Sequence, residues 1–260
     1  MSLRRPARLL CLLTLFALGC AGLRAEEMRE GSVFVKGLSG SLTADGRQLA
    51  KHESFDPVGK TIVSGSSGHS CLVFSNRMAL VLDPDTTLVV KSFQQALPDG
   101  SARHTDDVEQ ARSEIDLKLE RGGFALAQVK PRATSTLTIE LPQCTLSGRV
   151  SAMHISLDTV PPEVAVLEGN LRMSRKSGRD LLVQSGQWLD LSMTSHLSQR
   201  DMLKPLDAVH ESAVRSETDV AEGNYKLVFF TPSASGWQPQ VRILKTATQN
   251  AAKNDYLIRN

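Results

Sequence analysis

Between Ser32 and Leu191 apolar and polar positions change over every four to six residues, with Gly, Pro, Ser and Asp dividing the runs. Ser32-Val33-Phe34-Val35-Lys36 alternates, and Thr61-Ile62-Val63 gives way to the turn-rich Ser64-Gly65-Ser66-Ser67-Gly68. Cys71 to Phe74 leads through Ser75-Asn76-Arg77 into Met78 to Leu82; Asp83-Pro84-Asp85 turns the chain, and Thr87 to Lys91 resumes a strand. Further on, Ile115, Leu117 and Leu119 alternate with Asp116 and Lys118. Strand-like runs follow at Phe124–Val129, Thr136–Leu141, Met153–Leu157, Val164–Leu167, Leu171–Ser174, Leu181–Val183 and Trp188–Leu191. A side-chain period of two, broken this often by turn chemistry, predicts an all-β fold: a two-layer sandwich or a solenoid-like stack. No amphipathic helix of useful length interrupts it, which argues against βαβ units.

The pattern divides the chain into an all-β domain over 26–193 and an appendage of helix and short strands over 194–245, with a flexible polar tail over 246–260. In the appendage, Leu203, Leu206, Val209 and Val214 predict a helix from Ser198 to Ser216, capped by Ser198 and marred by Pro205. Strand-like stretches follow at Tyr225–Phe230 and Val241–Leu244. Gln94 to Arg112 is polar and reads as a long surface loop, with Asp106, Asp107 and Glu109 as a solvated acidic cluster.

Residues 1–25 change the meaning of the charge balance. Arg4, Arg5 and Arg8 precede an apolar stretch, Leu9 to Gly22, and small residues follow, the pattern of a secretory signal peptide. The run is shorter than the roughly 20 residues of a membrane span. Ala25 suits an ordinary signal peptidase, whereas Ala17-Leu18-Gly19-Cys20 is a degenerate lipobox that would put a lipid on Cys20. Either way the chain is expected to be exported to the periplasm or cell surface. Losing 1–25 removes four arginines and no acid, so the net charge moves from +2 to −2. Without a basic surplus nothing points to nucleic acid. Two cysteines remain, Cys71 and Cys144; an oxidising compartment permits a disulfide between them, and two buried unpaired thiols are the alternative.

The motifs that invite a chemical reading fall short of one. Gly59-Lys60-Thr61 lacks the glycine five residues before Gly59, where Ser54 stands, and leads into a strand, so it is no phosphate loop. Gly65-Ser66-Ser67-Gly68-His69 ends on His69 where a nucleophile elbow needs Gly. His52, His69, His104, His154, His196 and His210 form no pair at metal-ligand spacing, and Asp83 with Asp85 lacks the oxygens of a calcium loop. Trp188 reads as core; Trp237 could be a ligand platform. Accordingly no catalytic residue, cofactor site or metal site is expected.

From Gly65 to Phe93 the chain resembles the FecR-like domain, an all-β module of bacterial envelope proteins. The resemblance rests on a Gly/Ser turn (64–68), a strand (71–74), Ser75-Asn76-Arg77 at the "f-s-n-g" turn, a second strand (78–82), Asp83-Pro84-Asp85-Thr86 at "p-n/d-t", and Leu88-Val89-Val90. It extends over Ser32–Leu191 through Leu117 to Gly123, the linker Lys130 to Ser135, Leu141-Pro142 at the "tP" strand, Val164 to Gly169, and Ser185-Gly186-Gln187. At the family's "G-I-R-G-T" turn this chain has Ser147-Gly148-Arg149-Val150-Ser151, without the second glycine. The resemblance implies a fold but no agreed activity, and sigma-factor signalling only for members with an inner-membrane helix. The leading expectation is thus a non-catalytic envelope protein that binds another envelope protein or a cell-wall glycan through the 94–112 loop and the 198–216 helix. A module acting in trans on a sigma-factor pathway is the alternative. A cell-wall carbohydrate-active enzyme is the third, and needs converging carboxylates or a nucleophile-base pair.

Overall fold

The computed structural model describes residues 26–98, 108–175, 180–192, 199–234 and 236–242. The leader with Cys20, the loop residues His104, Asp106 and Asp107, His196, and the 246–260 tail lie outside them. The strands come first: β1 (Met28–Glu30), β2 (Val33–Leu38), β3 (Leu42–Ala44), β4 (Arg47–Gln48), β5 (Ser54–Phe55), β6 (Thr61–Ser64), β7 (Ser70–Phe74), β8 (Met78–Leu82) and β9 (Thr87–Ala96). After them run β10 (Ser113–Arg121), β11 (Gly123–Gln128), β12 (Thr136–Glu140), the two longest strands β13 (Cys144–Ser156) and β14 (Glu163–Arg175), β15 (Leu181–Gln184) and β16 (Gln187–Asp190). The C-terminal part holds α1 (Gln199–Met202), β17 (Leu203–Pro205), α2 (Ala208–Tyr225), β18 (Val228–Ser233) and β19 (Gly236–Val241).

The ladders make one large curled sheet folded over a shared core. One layer runs β4-β3-β6-β9-β10-β12 and joins the first half of β13 at Thr145–Gly148. The other runs β5-β2-β7-β8-β11 and joins the second half of β13 at Ala152–Ser156. β13 and β14 pair along their whole length, and register shifts at Val150, Ala152 and Met153 let them bend from one layer into the other. The Ser147–Ser151 stretch, expected as a turn, lies inside β13 instead. Gly148 is needed there because a Cβ would stand 2.3 Å from the Asn170 carbonyl oxygen. Strands β10 and β12 are parallel neighbours, joined through β11 in the opposite layer.

Strands β7, β8 and β11 are buried on both faces, and their alternation sorts two cores. Leu72, Phe74, Met78, Leu80, Leu82, Phe124 and Leu126 point between the layers. Cys71, Val73, Ala79, Val81, Ala125 and Ala127 point outwards, where Ala221 and Tyr225 of α2 and Val228 cover them. The alanines let the helix approach closely. Burying each large aliphatic or aromatic side chain contributes roughly 1.5–3 kcal/mol.

Four expectations are corrected by this packing. The long helix starts at Ala208 rather than after Ser198 and ends at Tyr225: Asp207 caps it, its carboxylate accepting from the Val209 and His210 amides at 3.0 and 2.8 Å. Leu203 and Pro205, counted as helical, belong to β17, which pairs with β16 and carries the sheet into the appendage. Trp188 is half-buried at the rim, with Lys204 Nζ 4.8 Å above its ring, and Leu189 takes the core position. Glu109, expected in a solvated loop, is buried and accepts from Ser113 Oγ, Ser135 Oγ and the Arg132 amide. Between the two readings of the cysteines, the structure has free, buried thiols. Cys144 faces the inner core and Cys71 the layer under α2, so no bridge joins them. Burial pushes the thiols up to about 11 and about 12, respectively.

Candidate functional site

The β7–β8 turn, Ser75-Asn76-Arg77, puts its arginine in a backbone conformation that favours glycine. Arg77 sits at φ 67°, a conformation that costs an L side chain about 1–2 kcal/mol. Its guanidinium is nevertheless buried, lying 5.1 Å from the Phe229 ring and 5.8 Å from the Tyr225 ring. Arg242 stacks on Phe229 as well, at 4.3 Å. The sheet C-terminal to α2 is a two-stranded hairpin, and it roofs the turn. A cavity of about 430 Å³ remains between them, lined by both arginines, Asn76, Gln95, Phe229, Trp237 and neighbouring residues. No carboxylate lines it among the described residues. Trp237 is only 6 % exposed, and its Nε1 has no hydrogen-bond partner among the described residues, so the cavity holds a buried donor awaiting an acceptor.

Behind the turn stands a buried polar network. Asn76 Nδ2 donates to Ser113 Oγ at 3.1 Å, Ser113 Oγ to Glu109, and Ser75 Oγ to Gln95 Oε1 at 2.7 Å. Burial pushes the Glu109 carboxyl above the ordinary glutamate range, against the pull of the Ser113, Ser135, Arg132 and Asn76 donors.

A second cluster lies at the α2 side of the sheet. Asp83 follows β8, His154 is on β13 and Glu217 is on α2; one ligand atom from each lies within 4.8 Å of the others. His154 Nε2 is 3.1 Å from Glu217 Oε2 and 3.5 Å from Asp83 Oδ2, close to both carboxylates and well aligned with neither. His69 Nδ1 stands 3.9 Å from the other Asp83 oxygen. Asp83 fits because Gly123 faces it: a Cβ there would be 2.5 Å from Asp83 Oδ2. Burial disfavours a charged His154 ring, but Asp83, Glu217 and Glu163 outweigh it and hold its pKa above the usual value. Nearby, His210 Nε2 is 2.8 Å from Glu163 Oε1, a further link from α2 to the sheet.

Asp83 was singled out in the sequence with Asp85 as its partner, but Asp85 is at a positive-φ turn position and His154 and Glu217 are the groups that converge. Gly59-Lys60-Thr61 and Gly65 to His69 are turns leading into β6 and β7, and Lys60 Nζ rests 5.6 Å over Phe55. Among the described residues no helix is long and apolar enough to cross a membrane.

No family model and no curated protein matches the chain. Among solved structures it is similar to two crystal structures, at 1.65 and 2.50 Å resolution, of a candidate anti-sigma factor from Parabacteroides distasonis. The TM-scores are 0.40 and 0.39 and the identities 10% and 11%, over 59% of this chain in each case. The matches cover 63% and 62% of those proteins, so this chain spans less than two-thirds of their length.

Proposed function

We propose that this chain is an exported, non-catalytic binding protein of the bacterial envelope, a FecR-like β scaffold whose cavity beneath the C-terminal hairpin takes a carboxylate-bearing part of a cell-wall glycan. Arg77 carries the reading: a residue held in strained backbone, with its guanidinium buried against Phe229 in a cavity that it lines with Asn76, Gln95 and Arg242. Strain of this kind persists where the surroundings enforce it, and it clusters at ligand sites. Arginine forks match carboxylates, side-chain amides suit sugar hydroxyls, and the cavity has the volume of a small-ligand pocket. A glycan is favoured over a protein partner because the recess is concave, with aromatic rings set beside amide and guanidinium groups, rather than a flat apolar patch. The carboxylates that converge on His154 lie outside it.

Titrating the chain with soluble, carboxylate-bearing cell-wall fragments should change Trp237 fluorescence saturably, whereas neutral chitooligosaccharides should not. Arg242→Ala, on an exposed residue, should weaken binding about tenfold, as expected for a lost charge-assisted contact. Absence of saturable binding, or capture of an envelope protein with no glycan binding, overturns the reading. Export has its own check. The mature mass from an envelope fraction should correspond to cleavage after Ala25, or to a lipidated Cys20; an intact residue 1–25 segment rejects export.

A further inference from the structure

We propose that Asp83, His154 and Glu217 form a binding site for a divalent transition-metal ion, zinc above all, which clamps α2 onto the sheet. Three features carry the inference. The first is donor chemistry: imidazole nitrogen and carboxylate oxygen are both zinc ligands, and a set of three protein ligands leaves a fourth position for water. The second is spacing. Tetrahedral bonds of roughly 2.0–2.2 Å place ligand atoms about 3.3–3.6 Å apart, and Nε2 stands 3.1 and 3.5 Å from the two carboxylate oxygens.

The third is the orientation of His154. The residue is 8 % exposed, and its Nε2 points between the two carboxylates, well aligned with neither. A protonated ring serving only as an ion-pair partner would aim its N–H along one oxygen; a ring presenting its lone pair to a shared centre would aim between them. His69, 3.9 Å from the other Asp83 oxygen, is placed to orient that carboxylate from outside. Two carboxylates around one imidazole leave the site net negative even with the ring protonated, and a divalent cation that displaces that proton neutralises it. The ligands come from two strand ends and a helix that meet only in the folded chain, so binding is linked to folding and to the seating of α2.

The test uses the full chain, stripped with chelator, and zinc chloride alone as probe. Calorimetry should give one zinc per chain, and the thermal midpoint should rise by about 5–10 °C at a hundredfold excess over Kd. Glu217→Gln, a half-exposed change on the helix, should lower affinity at least tenfold and remove the thermal shift, and Asp83→Asn should do the same. Cobalt substitution should give visible ligand-field bands that vanish in Glu217→Gln while far-ultraviolet dichroism stays unchanged. No stoichiometric uptake, or uptake that survives both Glu217→Gln and Asp83→Asn, overturns the site. Glycan titration of the same variants separates the two readings, because a metal clamp that fails leaves the cavity under the hairpin in place.

Discussion

Glu109→Ala is expected to lower the stability of the chain by about 3 kcal/mol at pH 7, read as a shift of the urea midpoint at constant slope. The carboxylate is the common acceptor for the Ser113 and Ser135 hydroxyls and the Arg132 amide, at 3.0 Å for the last. Truncation strands two buried hydroxyl donors, each worth about 1–3 kcal/mol when left unpaired, and one part-buried amide, while relief of a desolvated carboxylate offsets part of the loss. Glu109→Gln keeps one acceptor and should cost less. The pH dependence follows from the raised carboxyl pKa. A group that binds its proton more tightly in the folded state contributes stability fully below the unfolded value, near 4.5. That contribution fades as pH climbs through the raised folded value. The stability difference between the native chain and Glu109→Gln should therefore shrink with rising pH across that window. A difference that grows with pH, or Glu109→Ala within 0.5 kcal/mol of the native chain, rejects this account. The network also holds Asn76, the residue beside Arg77, so Glu109→Ala should loosen the floor of the proposed glycan cavity.

The strand pattern was legible because it rests on one local rule. Ile115, Leu117 and Leu119 alternate with Asp116 and Lys118, and the same positions are buried in β10. The doubly buried β7 and β8 were legible as apolar runs, although nothing local told that Val73 and Ala79 meet a helix while Leu72 and Leu80 meet the other layer. The helix was misplaced by about ten residues at its start, because Leu203 and Leu206 fit a helical period by chance and Asp207 supplies the better cap. Glu109 was misread for a related reason. An acid in a polar stretch has no local sign that three donors, two of them from the chain beyond β11, will surround it.

The candidate sites were the least legible. Asp83, His154 and Glu217 lie on separate elements, so no spacing could join them; only the β13 crossing and the docking of α2 bring them together. Arg77 did carry a local signal. An arginine at a position where the pattern has glycine implies either a lost turn or a strained one, and the structure shows the second.

Phe93→Ala should be the costliest single truncation considered, at about 3–5 kcal/mol out of a total stability of roughly 5–15 kcal/mol. The ring is fully buried and packs tilted on Phe74, with centroids 5.4 Å apart. Its other side rests on the backbone of Gly31, whose amide donates to the Phe93 carbonyl at 2.9 Å. A Cβ at residue 31 would stand 2.1 Å from Phe93 Cε1, so the glycine is what admits the ring. Gly31→Ala alone should then cost about 1–3 kcal/mol by overpacking. Combining the two changes removes the clash and partly fills the hole. The double variant should be less destabilised than the sum of the singles by at least about 0.5–1 kcal/mol, a coupling measurable in a urea-denaturation cycle. Strict additivity would mean that Gly31 and Phe93 do not share the contact that pins the chain between β1 and β2 to the core.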